Sequence, residues 1–70
     1  MLHGQTPDPV WDPLNRAYRA LEAKSYDRAV TDFLAAIQVA PDNASIRKDL
    51  GYTYLKIGET EAARDQFEKA

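Results

Sequence analysis

Seventy residues suffice for one small domain, which buries only about 60% of the surface its unfolded chain exposes and so has a thin stability margin. Apolar residues at 44% and charged residues at 29% describe a globular chain rather than a disordered or collagen-like one. A formal net charge of -2 argues against general phosphate-backbone binding, and the absence of cysteine removes disulfides, thiolate nucleophiles and Cys-type zinc sites.

In chain order, residues 1–9 form a polar, proline-containing stretch, expected to be a flexible leader. It holds the lone histidine, His3, read as a leader residue rather than a ligand, because a metal site needs several convergent donors. Trp11 follows, and is expected to fold back over Leu14 or the second helix as a lid; the alternative is an exposed partner contact. Asp12-Pro13 reads as an N-cap with a first-turn proline, opening a helix over roughly Pro13 to Lys24. A second helix starts at Ser25 or Tyr26 and stops after Ala40, since Pro41 pushes its predecessor out of helical geometry. Asp42 or Asn43 caps a third helix that runs to about Ile57, where Gly58 is a natural stop, and Glu59 or Thr60 opens a fourth. Ile46, Leu50, Tyr54 and Ile57 share one helix face, as do Ala29, Phe33, Ala36 and Ala40. Connections this short imply antiparallel neighbours. Val30, Leu34, Ile37 and Val39 add apolar surface that is expected to pack against the third helix and couple the two halves.

Shifting the sequence by 34 residues lays Pro7 on Pro41, Tyr18 on Tyr52, Leu21 on Leu55, Ala29 on Ala63, Phe33 on Phe67 and Ala36 on Ala70. A period of this size marks stacked supersecondary units, none of which buries its apolar face alone. Ala17 and Gly51, at the same register, are small enough to let paired helices approach closely, with Phe33 and Phe67 filling the remaining volume.

Leu50, Gly51, Tyr54, Gly58, Ala63, Phe67 and Ala70 resemble the tetratricopeptide repeat signature, L-G-x-x-Y, a glycine at the hairpin turn, then A-x-x-x-F-x-x-A. The first copy has Tyr26, Ala29, Phe33, Ala36 and Pro41 in place, and departs from the pattern at Arg16, Ala20 and Lys24, opposite Leu50, Tyr54 and Gly58. The resemblance implies an all-α fold: two tandem helix-turn-helix hairpins stacked as a short right-handed superhelix, with one repeat over residues 10–43 and a truncated one over residues 44–70. The chain is then expected to be a fragment or terminal module of a longer array, or a unit that self-associates through its uncovered ends.

The same resemblance implies that the first helix of each pair lines a concave groove for a protein or peptide partner. Carried over by register, the groove positions are Leu14, Tyr18 and Leu21 in the first copy and Lys48, Tyr52, Leu55 and Lys56 in the second. Tyr18 and Tyr52 are read either as groove anchors or as packing between adjacent helices. Family members that clamp a terminal carboxylate carry Lys and Asn where this chain has Leu14 and Tyr18, so acidic chaperone tails are not expected to bind.

No enzyme is expected: no carboxylate pair sits beside a nucleophile or base, and no glycine-rich phosphate loop occurs. Charges such as Asp27, Arg28 and Asp32, or Glu61, Arg64, Asp65 and Glu68, read as solvated helix faces. A nucleic-acid partner is not expected either, since Lys48, Lys56 and Arg19 are offset by Glu22 and Asp49. No cofactor is expected. No apolar run approaches the roughly 18 residues of a membrane span, so the chain is read as cytoplasmic, or periplasmic if cut from a secreted parent.

Overall fold

The computed structural model describes residues 10–70. The leader, with His3 and Pro7, lies outside the described residues. Four helices follow in order: α1 (Trp11–Glu22), α2 (Tyr26–Val39), α3 (Ala44–Lys56) and α4 (Thr60–Lys69). α1 packs on α2, α3 on α4, and α2 on α3, giving two helical hairpins joined through their inner helices.

Both hairpins turn by the same device. At the end of α1, the Ser25 N–H donates to the Ala20 carbonyl at 2.8 Å and the Lys24 N–H to Leu21 at 2.9 Å. At the end of α3, the Glu59 N–H donates to Tyr54 at 2.9 Å and the Gly58 N–H to Leu55 at 3.2 Å. This paired closure needs a left-handed residue just past the helix. Gly58 supplies it at φ 79°, and Lys24 adopts it at φ 60° despite its side chain, at a cost of roughly 1–2 kcal/mol. The departure of Lys24 from glycine therefore leaves the turn intact.

The N-terminus of α1 differs from the sequence expectation. Asp12 is not its cap: the helix begins at Trp11, with Val10 as the capping residue and the Leu14 N–H bonded to the Val10 carbonyl at 3.0 Å. Pro13 does not force the start, because any position in the first turn has an N–H without an intrahelical acceptor. The earlier start also overturns the Trp11 lid. Held in the helix itself, Trp11 cannot double back, and it is 58% exposed. At α3 the expectation of a cap at Asp42 or Asn43 resolves to Asn43, whose Oδ1 accepts from the Ile46 N–H at 3.1 Å.

The core is built on small residues around one ring. Ala17, Ala29, Phe33, Ala36 and Leu50 are fully buried, with Ala20, Ile37 and Ile46 nearly so, and Val10, Leu14, Leu21, Val30, Ala40 and Tyr54 flank them. Ile46 and Leu50 come from α3 while Phe33 and Ile37 come from α2, so the core crosses the boundary between hairpins. The expectation that Leu34 and Val39 join this contact fails: they are 40% and 47% exposed. Val39 stands about 200° around the helix from Ile37, so only one of the two can face α3. Ile57 likewise leaves the core face, since α3 ends at Lys56 and Ile57 is its exposed capping residue.

Polar groups close what remains. In hairpin two, Arg47 spans its neighbours, donating from Nε to the Pro41 carbonyl at 2.7 Å and from Nη1 to Gln66 Oε1 at 2.8 Å. In hairpin one, Arg16 meets Asp32 at 3.5 Å. Asp32 and Gln66 occupy the same register, so both hairpins place an arginine partner against the same point of the second helix.

Candidate functional site

A groove of about 270 Å³ runs between α1 and α3, beside the start of α2, lined by Tyr18, Leu21, Tyr26, Asp49, Tyr52, Thr53 and Lys56. Helical spacing explains the set: Asp49, Tyr52, Thr53 and Lys56 recur at intervals of three, one and three on α3, as Tyr18 and Leu21 do at three on α1.

The aromatic walls are braced from below. Tyr18 meets Phe33 edge-on, with ring centroids 5.3 Å apart and planes at 85°. Tyr52 repeats the contact with Phe67 at 5.1 Å and 64°. Each tyrosine thus packs within its hairpin and also shows surface to the groove, Tyr18 being 39% and Tyr52 58% exposed. The two readings of these residues are compatible. Edge-to-face geometry of this kind is worth about 0.5–1.5 kcal/mol beyond area burial and restricts how the ring can turn.

One polar contact joins the walls. The Tyr18 hydroxyl donates to Asp49 Oδ2, linking α1 of one hairpin to α3 of the other. The Asp49 backbone carbonyl accepts in turn from the buried Thr53 hydroxyl at 2.7 Å. Burial, the hydrogen bond to Asp49 and the negative charge of that carboxylate push the Tyr18 phenol up to about 12. Burial, then the nearby Glu59, also raises Tyr54.

A stability effect follows from Tyr18 with a definite sign. In the unfolded chain the phenol loses its proton near its ordinary value of about 10, while the folded protein retains it, so the folded state binds more protons above that pH. The stabilisation is fully present below pH 10 and is lost as the pH rises through 10 towards 12. Denaturant midpoints measured from pH 9 to 12 should fall more steeply for the native protein than for Tyr18→Phe.

Of the positions carried over by register, the groove brings together Tyr18, Leu21, Tyr52 and Lys56. Leu14 lies half-buried against the core. Lys48 is exposed on α3 and is not part of the groove lining. Leu55 opens into a different hollow, of about 390 Å³, with Thr60, Ala63, Arg64, Phe67 and Glu68. Tyr26, Asp49 and Thr53 belong to the groove and were missed by the register argument, which took only first-helix positions of known contact type. Asp49 was visible as a charge near the groove but was counted only against nucleic acid.

The hollow at Leu55 is the second copy of an occupied place. Moved back by 34 residues, its lining becomes Leu21, Tyr26, Ala29, Val30, Phe33 and Leu34, of which Ala29 and Phe33 are buried in the core shared with Ile46 and Leu50 of α3, with Leu21 and Val30 packed against it. Among the described residues no helix lies over the corresponding side of α4, which is why Phe67 is half-buried where Phe33 is fully buried.

Paired antiparallel helices repeated at a fixed offset, with the same turn, the same tyrosine-phenylalanine contact and a groove on one side, define a helical-repeat protein. A family model described as tetratricopeptide repeat matches residues 20–70. The chain belongs to the tetratricopeptide repeat family. Comparison with curated proteins and with solved structures gave no match. Members of the family are in general non-enzymatic modules for protein–protein interaction. Among the described residues no helix is long and apolar enough to cross a membrane.

Proposed function

We propose that the chain is a protein-interaction scaffold that holds a peptide segment of a partner in the groove between α1 and α3. The observation that carries this reading is the pair of half-exposed tyrosines, Tyr18 and Tyr52, whose rings are oriented by buried or half-buried phenylalanines and converge with Tyr26 and Leu21 on one hollow. Preoriented aromatic surface loses little entropy on contact and is the residue type that dominates interface energies. The two structural repeats are taken as residues 10–43 and 44–70, so the groove draws one wall from each. Leu14, Lys48 and Leu55 act at most as its outer rim.

Selection from a displayed random peptide library tests the proposal. Peptides enriched on the native protein should bind Tyr52→Ala more weakly by about 2 kcal/mol, the size of an interface anchor, while binding the distant surface variant Gln38→Ala unchanged. Circular dichroism should show both variants folded, since Tyr52 is more than half exposed. Equal binding to native protein and Tyr52→Ala would contradict the groove.

A second reading is favoured by the open hollow at Leu55, Ala63 and Phe67, which matches a face covered elsewhere in the same chain. On that reading copies of the chain stack through it. A sedimentation mass that grows with concentration and returns to that of the monomer in Phe67→Glu would support it over peptide binding as the main role.

A further inference from the structure

The charge pattern of the groove has a polarity that the family assignment does not supply. Asp49 is half-buried and lines the groove together with Tyr18, Tyr26 and Tyr52, and among the described residues its carboxylate has one hydrogen-bond partner, the neutral Tyr18 hydroxyl at Oδ2. No lysine or arginine of the described residues pairs with it; the ion pair present joins Arg16 to Asp32 on the other side of α1. A carboxylate that accepts from a neutral donor at one oxygen keeps its acceptor capacity on the other, Oδ1. Aromatic faces attract cations through their quadrupoles, and the attraction is stronger where water is partly excluded. A carboxylate with acceptor capacity to spare, in a groove that three tyrosines also line, therefore suits a positive charge.

Lys56 lines the same groove and carries the opposite sign. It is seven residues beyond Asp49 on α3, which places it about 10 Å further along the helix axis. Its ammonium is exposed on a flexible stem and so sits at one end, not at the carboxylate. The groove is thus negative at its tyrosine-rich centre and positive at one rim.

Resting on the peptide-binding reading above, we infer that the groove selects a partner segment carrying an arginine or lysine side chain, which inserts among Tyr18, Tyr26 and Tyr52 with its charged head on Asp49. The rim lysine disfavours a wholly basic segment, so the partner peptide combines one seated cation with neutral or acidic residues towards the Lys56 end. An acidic tail is excluded from the centre by Asp49. That exclusion is independent of the missing Lys and Asn at the positions of Leu14 and Tyr18.

The test uses the full chain and the displayed random library already described, read by sequencing and followed by affinity measurements on the enriched peptides. Asp49→Asn keeps an oxygen to accept from the Tyr18 hydroxyl while removing the charge, so the fold is preserved, as circular dichroism would verify. The inference expects enrichment of arginine or lysine at one peptide position. It further expects a loss of at least about tenfold with Asp49→Asn, as for a charge-assisted hydrogen bond, a clearly smaller change with the rim variant Lys56→Gln, and weakening with added salt. Peptides that depend on Tyr52 yet show no basic enrichment, or that bind Asp49→Asn as well as the native protein, would overturn the inference and leave the groove reading standing. Loss with Lys56→Gln and none with Asp49→Asn would make the groove an anion reader and overturn it likewise. If no enriched peptide depends on Tyr52, the groove reading itself fails and this inference falls with it.

Discussion

Phe33→Ala should destabilise the protein by about 3–5 kcal/mol, enough to abolish most of the folded population in a domain of this size. Phe33 has no exposed surface and stands among Ala17, Ala20, Ala29 and Ala36, with Ile37, Ile46 and Leu50 completing its surroundings. Alanines have no length with which to fill the void, and the two helices that bear them, α1 and α2, are tied by the doubly hydrogen-bonded turn at Lys24. The cavity would therefore persist, and the cost should fall at the upper rather than the lower part of that range. Phe67 provides an internal control. It is chemically equivalent and occupies the same register, but it is half-buried, so Phe67→Ala should cost clearly less. Urea unfolding followed by far-ultraviolet circular dichroism would measure both. Equal losses would mean that the two hairpins are more alike in burial than described.

Gly51→Leu has the second-largest expected effect, and its origin is a distance. A Cβ placed on Gly51 would lie 2.5 Å from Cε1 of Phe67, 2.8 Å from Cζ and 2.9 Å from Cδ1. The ring would have to leave, taking with it the edge contact to Tyr52 that braces the groove. Overpacking of this kind costs about 1–3 kcal/mol, only part of which is recovered by leucine's better helix propensity. Unlike Phe33→Ala, this substitution should also change the environment of Tyr52, visible as a shift in its ring proton resonances. The matching Ala17 has a methyl group at the same register and is fully buried, so hairpin one tolerates what hairpin two does not.

Much of this arrangement was legible before any coordinates, and the reasons are specific. The offset of 34 residues locates both hairpins because it relates chemically similar side chains, Tyr18 to Tyr52 and Phe33 to Phe67, that occupy equivalent places. The close approach at Gly51 was legible from its size alone. Pro41 and Gly58, which act locally, located the helix ends to within one residue: Ala40 and Ile57, expected as the last residues of their helices, are the capping residues. Lys24 in a left-handed conformation was not legible, because its cost is accepted only where the surrounding hydrogen bonds hold the turn. Trp11 was misjudged for a related reason: a proline in the first turn marks a helix start only to within a few residues, and that margin decides whether the indole can fold back. Leu34 and Val39 show the limit of hydrophobicity as a guide, since both stay exposed, Val39 on the far side of the helix from Ile37 and Leu34 only about 60° from it. The Tyr18–Asp49 hydrogen bond depends on how one hairpin is placed against the next, and nothing in local spacing encodes it.

That placement is what the whole account requires. Ile46 and Leu50 complete the core around Phe33, and Asp49 and Tyr52 complete the groove around Tyr18, so neither hairpin should be an ordered unit alone. The direct measurement is thermal unfolding, by circular dichroism, of a peptide of residues 10–43 beside the full chain. The isolated hairpin should show weak helicity and a broad, uncooperative melt, while the full chain gives one cooperative transition. A cooperative transition in the hairpin matching that of the full chain would contradict the shared core and, with it, a groove built from both halves.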